Sequence, residues 1–201
     1  MIGYASRTGT RRNLAALEAH GWRLLVSASG VHRSEGMRYA IDNGAWSAFM
    51  QGEEFNADRF RKCCDLLGAG ADWIVVPDIV QGGMASLAFS LKWLPEVQAY
   101  GAPVLIAVQD GMSSADLRPL LGERVGIFVG GSTEWKLATL PAWGELAREC
   151  GCWMHVGRVN SETRIARCHI AGAHSFDGTS ATRYAVTLPR LDMARRQGYL
   201  F

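Results

Sequence analysis

Val104-Leu105-Ile106-Ala107-Val108-Gln109 is an aliphatic run ended by an amide, and Trp73-Ile74-Val75-Val76-Pro77-Asp78 is another ended by a carboxylate. Neither alternates with polar residues, which is the pattern of a strand covered on both faces, as in a parallel sheet flanked by helices. Working outward from these two, similar short runs bounded by Gly, Ser or Asp recur along the chain at Ile2–Ser6, Arg23–Ser27, Tyr39–Asp42, Gly126–Gly130, Trp153–Gly157 and Ser175–Asp177. Stretches of helical period separate most of them. These predict helices over Arg12–His20, Ala57–Leu67, Met84–Tyr100 and Ser114–Leu121, then Thr133–Leu137 with Pro141–Cys150, Ser161–Ala171 and Leu188–Gln197.

Eight strand candidates in 201 residues leave about 25 residues per strand–helix unit, which fits a compact (β/α)8 barrel of TIM type; an open doubly wound sheet is the competing α/β architecture. The strand ends favour the barrel. Polar or glycine residues follow nearly every run: Arg7, Ser27, Asp42, Asp78, Gln109, Gly130-Gly131, Arg158 and Asp177. A barrel assembles its site from that one rim, whereas an open sheet concentrates ligand groups at a switch point. No repeat, low-complexity tract or linker divides the chain, so residues 1–201 are expected to form a single domain.

Hydrophobic residues make up 48% of the chain and charged residues 20%, a globular composition that excludes a disordered protein. The formal charge of +2 is too small to point to nucleic acid or membrane by itself, so any polyanion site must be local. Arg outnumbers Lys 18 to 3, and Arg is the better bidentate phosphate ligand, although a GC-rich coding sequence gives the same bias. Five cysteines, two of them adjacent, argue against a disulfide framework and for a reducing, cytoplasmic setting. No window approaches ~18 uninterrupted apolar residues, so neither a membrane span nor a signal peptide is expected.

Three carboxylates end strands: Asp42, Asp78 and Asp177. Any one could cap the turn that follows it. In a barrel all three converge, and burial with mutual repulsion would push their pKa values apart, so that one can attack while another carries a proton. Gly130-Gly131-Ser132-Thr133 runs from a strand into a helix start, offering backbone N–H groups to an anion or a carbonyl oxygen. It lacks the spacing of a dinucleotide or P-loop motif. Arg158 and Arg183 place guanidinium groups on the last two rim loops, near where barrels often bind phosphate, and Trp46 and Met154 could sandwich a flat ring. Cys150-Gly151-Cys152 with Cys168-His169 suggests zinc only weakly, because the spacing is not that of paired knuckles.

Taken in order, these motifs resemble those of the tRNA-guanine transglycosylase family and its compact DNA-modifying relatives. Asp42-Asn43-Gly44-Ala45-Trp46-Ser47 resembles Asp-Ser-Gly-Gly-Phe/Tyr-Gln, and Val75-Val76-Pro77-Asp78 resembles the strand ending in a base-reading Asp. Ala107-Val108-Gln109-Asp110-Gly111 is similar to Val-Gln-Gly-Gly, Phe128-Val129-Gly130-Gly131 to Ala-Val-Gly-Gly, and Met154-His155-Val156-Gly157 to Met-Gly-Val-Gly. Phe176-Asp177 through Thr182-Arg183 matches Phe-Asp-Cys-x-x-Pro-Thr-Arg in spacing, and Arg7-Thr8-Gly9-Thr10 resembles an early Val-Gly-Thr.

The resemblance implies an enzyme that exchanges guanine for a free 7-deazaguanine base in a polynucleotide. Asp177 would be the nucleophile that forms a glycosyl ester, and Asp42 the general acid/base. Asp78, Gln109, Gly130 and Gly131 would read the base, Trp46 and Met154 would stack on it, and Arg183 would hold a flanking phosphate. The family's C-terminal zinc site has no counterpart after Asp177, so no metal or other cofactor is expected. Ile79 stands where the family usually has Glu, and Asp110 where it has Gly. The short chain favours DNA over tRNA as the polymer, and a homodimer is compatible with the sequence. The alternatives are an N-glycoside hydrolase on the same barrel and a non-catalytic nucleic-acid-binding module.

Overall fold

The computed structural model describes residues 1–7, 10–183 and 186–197, without the side chain of Arg183. Eight parallel strands close in sequence order into a barrel, β1 pairing with both β2 and β8. They are β1 (Ile2–Ser6), β2 (Arg23–Ser27), β3 (Tyr39–Asp42), β4 (Ile74–Val75), β5 (Val104–Val108), β6 (Val125–Val129), β7 (Met154–Val156) and β8 (Ser175–Asp177). The expected (β/α)8 architecture is therefore the observed one. β4 is shorter than the apolar run suggests: the Val76 N–H still bonds the Leu105 carbonyl at 2.9 Å, but Pro77 has no N–H to continue the ladder.

Around the barrel lie α1 (Arg11–Ala19), α2 (Ala45–Gln51), α3 (Ala57–Leu67), α4 (Gly83–Gln98), α5 (Ser114–Leu117), α6 (Thr133–Glu149), α7 (Glu162–Ile170), α8 (Ser180–Arg183) and α9 (Leu188–Gln197). Local chemistry starts several of them. Asn56 caps α3 by accepting from the Arg59 N–H at 2.9 Å, and Ser161 caps α7 by accepting from the Arg164 N–H at 3.4 Å. No helix joins β2 to β3; residues 28–38 return over the barrel as a loop. The short helices α2 and α8 were not anticipated. The break expected at Pro141 is also absent, since α6 runs through it. Its buried residues Lys136, Leu140, Trp143 and Ala147 repeat at helical spacing, and seating that face on the barrel outweighs the ~3 kcal/mol of an interior proline.

Two apolar layers result. One fills the space between barrel and helices, with Leu24, Ile41, Ile74, Ile106, Ile127, Met154 and Phe176 facing outward from their strands. The other fills the cylinder, with Tyr4, Leu25, Ala40, Trp73, Val75, Leu105 and Ala107 packed against Phe128 and Trp153. At the N-terminal end Asp72 accepts from the Tyr4 hydroxyl at 2.9 Å and pairs with Arg23 and Arg38 at 2.9 and 2.6 Å. Among the described residues no helix is long and apolar enough to cross a membrane, and all five cysteines are free.

Gly144 on α6 tests how tightly the helical layer is seated. Helix propensity alone says that Gly144→Ala stabilises by ~1 kcal/mol. A Cβ there, however, would lie 1.8 Å from the Ala171 carbonyl oxygen at the end of α7, so the two helices must separate. The variant is expected to lose ~1–3 kcal/mol of unfolding free energy in urea titration, the range for overpacked sites; a gain would mean that α6 and α7 slide freely.

Candidate active site

Side chains alternate along a strand, so the inward positions follow from the residues that fill the cylinder. Ala40 points in and places Asp42 at the rim of β3; Ser175 does the same for Asp177 on β8, and Ala107 for Gln109 beyond β5. The C-terminal mouth opens into a cavity of about 810 Å³, the size of an ordinary small-molecule site. Its floor is apolar, from Leu25, Val75, Ala107 and Phe128, and Asp42, Asp78 and Asp177 all stand in its wall with Trp46, Gln109, Gly130, Gly131 and Arg158. All three non-glycine residues with positive φ among those described sit at this mouth: Gln81 and Arg158 line the cavity, and Glu35 pairs with Arg7, which also lines it. Such strain persists where surrounding structure enforces it, and it concentrates at functional sites.

Burial pushes the Asp42 carboxyl up to about 7, with the charges of Asp177 and Asp78 adding to the effect against hydrogen bonds from Ser27 and the Gly44 N–H. The latter donates to Oδ2 at 3.2 Å from a glycine with φ +83°. Asn43 then locks the turn: its Oδ1 accepts from the Ala45 N–H at 2.8 Å, while its Nδ2 donates to the Val76 carbonyl at 2.9 Å and to Asp78 Oδ1 at 2.8 Å. Burial raises the Asp78 carboxyl as well, with Asn43 opposing.

Gln109 lines the cavity but spends its amide on the protein. Its Nε2 donates to Ser86 Oγ at 2.8 Å, the Ile79 carbonyl at 3.0 Å and Asp78 Oδ2 at 3.3 Å, and its Oε1 accepts from the Gly82 N–H at 3.1 Å. It therefore fixes Asp78 and the 79–82 loop rather than offering a free edge to a ligand. Asp110 takes up the helix start in a similar way. Its carboxylate accepts from the Ser132 N–H and hydroxyl, both at 2.7 Å. Burial works against ionisation there, yet these two donors and Arg158 hold the carboxyl below its ordinary value.

Asp177 is held from β7. Its Oδ1 accepts from His155 Nε2 at 3.0 Å and from the Arg158 N–H at 3.2 Å. His155 Nδ1 meets Ser175 Oγ at 2.9 Å, and that hydroxyl accepts from Trp153 Nε1 at 3.0 Å. An indole N–H only donates, so the Ser175 proton is free to go to Nδ1, which makes Nε2 the protonated nitrogen. Burial keeps the imidazole below its ordinary value against the pull of Asp177, which favours the neutral ring. On α6, Lys136 is buried and donates to the Gly157 carbonyl; desolvation, with Arg158 adding, brings its ammonium down to about 8.

Arg158 crosses the mouth. Its guanidinium carbon lies 4.2 Å from the centre of the Trp46 ring, and it also donates to the Gly131 carbonyl. Strands β3 and β7 are opposite each other in the closed order, so this contact spans the opening. One expected ligand residue stands differently. Met154 does not line the cavity: it is fully buried in the outer apolar layer, because the inward residue of β7 is His155. Phe128 supplies an aromatic floor instead. The side chain of Arg183, like Thr8 and Gly9, lies outside the described residues.

His155, Ser175 and Asn43 escaped sequence reasoning, which looked for histidines in metal-type groupings; the usable signal was strand phase, since Trp153 and Ser175 point inward with His155 between them. Among the described residues no group of three or more His, Cys, Asp or Glu side chains is placed to hold a metal ion. Neither the protein-family models nor the curated proteins searched include a match to this chain.

The raised Asp42 has a sign-definite consequence. The unfolded chain releases that proton near ~4, the folded one only at about 7, so the group's contribution to stability falls as pH rises between those values. Asp42→Asn is expected to match the wild type below pH 4 and to exceed it by on the order of 2–4 kcal/mol at pH 8. Chemical denaturation at the two pH values checks this; equal stability at pH 8 would mean that Asp42 is an ordinary solvated carboxylate.

Proposed function

We propose that the protein is a base-exchange transglycosylase that replaces guanine with a free 7-deazaguanine base inside a polynucleotide, DNA in preference to tRNA, through a glycosyl ester on Asp177. One observation carries the reading. In a single cavity, Asp42 is half-buried with its carboxyl raised to about 7, while Asp177 has one oxygen tied to two N–H donors and the other without such a bond among the described residues. Two carboxyls in contrasting environments form an acid and nucleophile pair. The resemblance of the rim motifs supplies the choice of substrate.

In the first half-reaction Asp177 Oδ2 attacks C1′ of the sugar, and the C1′–N9 bond breaks as Asp42 gives its proton to the departing guanine. The 7-deazaguanine then binds and yields its N9 proton to the Asp42 carboxylate. Its N9 attacks C1′, the ester C–O bond breaks and Asp177 is regenerated. Asp78, fixed by Asn43 and Gln109, faces the base edge with the backbone of Gly130 and Gly131. Trp46 offers a stacking surface once Arg158 withdraws, leaving that guanidinium available to a flanking phosphate, as Arg183 would be from the next rim loop. The target nucleotide must be extruded or single-stranded to reach this depth.

Incubating the protein with DNA or tRNA carrying labelled guanine, with and without a 7-deazaguanine base, tests the reading. Label release beyond one equivalent per enzyme is expected from DNA only when the free base is present, and Asp177→Asn is expected to reduce release ~10³-fold or more and to abolish covalent trapping. Multiple-turnover release that ignores the added base would instead make the protein a hydrolase. Because Asp42 must start protonated, single-turnover release is expected to fall as pH rises above about 7. A rate that climbs through pH 8 would remove Asp42 from the acid role.

A further inference from the structure

His155 occupies a position where the resembling Met-Gly-Val-Gly motif has glycine, and no step above uses its side chain. It is fully buried and cannot turn. Its ring stacks on Phe128 at 4.9 Å and 26°, lies 4.5 Å from Trp73, and meets the edge of Tyr4 at 5.7 Å. Both ring nitrogens are engaged, one by Ser175 and one by Asp177. A buried imidazole built this way is a fixed donor aimed at one oxygen of one carboxylate.

Free of such a donor, a carboxylate rotates and its oxygens interchange, whereas displacement at C1′ needs a lone pair held ~3–3.5 Å from carbon along the line of the departing bond. We infer that His155, fixed as the Nε2–H tautomer by the Trp153–Ser175 chain, is a positioning residue that anchors Oδ1 of Asp177 and turns Oδ2 to the cavity as the attacking atom. The inference rests on Asp177 being the nucleophile of the proposed reaction. In the glycosyl ester, Oδ1 is the carbonyl oxygen, so the same N–H meets the charge that returns when the carboxylate is regenerated. The charged groups facing the ring are Asp177 and, from α6, Lys136; the remaining neighbours are aromatic rings and the Ser175 hydroxyl. The donor is therefore expected to stay in place through the pH range of catalysis.

Two readouts need no substrate. In protein labelled with ¹⁵N histidine, His155 is expected to show Nε2 protonated and Nδ1 bare at pH 7, and Ser175→Ala is expected to disturb that pattern. The opposite tautomer, or a ring already cationic at pH 7, overturns the inference. A small aryl epoxide that esterifies reactive carboxylates, located by mass spectrometry, is expected to mark Asp177. His155→Phe, which keeps the stacked shape, is expected to lose ~10–100-fold of that labelling rate, and His155→Gln, which restores an N–H, to recover about tenfold. Equal rates in all three proteins, or no label on Asp177 in the wild type, overturn it. If exchange occurs, kcat is expected to follow the labelling rates with KM unchanged. Labelling that behaves as stated beside absent exchange sinks the transglycosylase reading alone.

Discussion

Closing a parallel sheet on itself forces alternate side chains of every strand into a cylinder too narrow to hold them all at full size. The interior meets this constraint with large rings from Tyr4, Trp73, Phe128 and His155 in its middle and with glycine where a ring or a neighbouring strand leaves no room for a Cβ. Gly126 and Gly157 are the clearest instances. A Cβ on Gly126 would lie 2.3 Å from the Trp153 carbonyl oxygen, and one on Gly157 would lie 2.8 Å from the Phe128 ring. With its middle plugged, the barrel offers a ligand only the layer above the rings. The same two-residue period that sets those rings in place lifts Asp42 and Asp177 into that layer, so packing and chemistry are fixed by one alternation.

Electrostatics within that layer is divided rather than uniform. Asp42 has little hydrogen bonding to set against its burial and two like charges nearby, and its carboxyl is raised to about 7. Asp177, on the strand next to β7, receives donors from two residues there. Asp110 is held in its charged form by the Ser132 N–H and hydroxyl at a helix start, and Asp78 is gripped by two amides. The carboxylates thus differ in what they can do because their neighbours differ, although each ends a strand or follows one.

Much of this was legible beforehand. The apolar runs around Val104–Val108 and Trp73–Val76 reported a parallel sheet, and the polar residue after each run reported which end of the barrel carries the site. What was not legible depends on contacts distant in the chain. Pro141 read as a helix end because the apolar face that carries α6 past it exists only against the barrel. Gln109 read as a ligand group because the sequence does not show that Ser86, Ile79 and Gly82 consume its amide. Met154 was assigned in the wrong phase and His155 was passed over: the motif resemblance drew attention to methionine, whereas the inward Trp153 places the imidazole inside. α2, of seven residues, and α8, of four, are too brief to carry a period.

The pairing of Arg158 with Trp46 joins opposite walls above the cavity, and it has a thermodynamic consequence for anything that enters. A flat guest reaching the indole must first separate that cation from its ring, giving up ~0.5–2 kcal/mol, which weakens apparent affinity by roughly 2- to 30-fold relative to an unbridged opening. A guest that hands the displaced guanidinium an anionic group recovers the difference, whereas an isolated neutral heterocycle does not. Occupancy is thereby tilted toward molecules that bring a ring and a negative charge together.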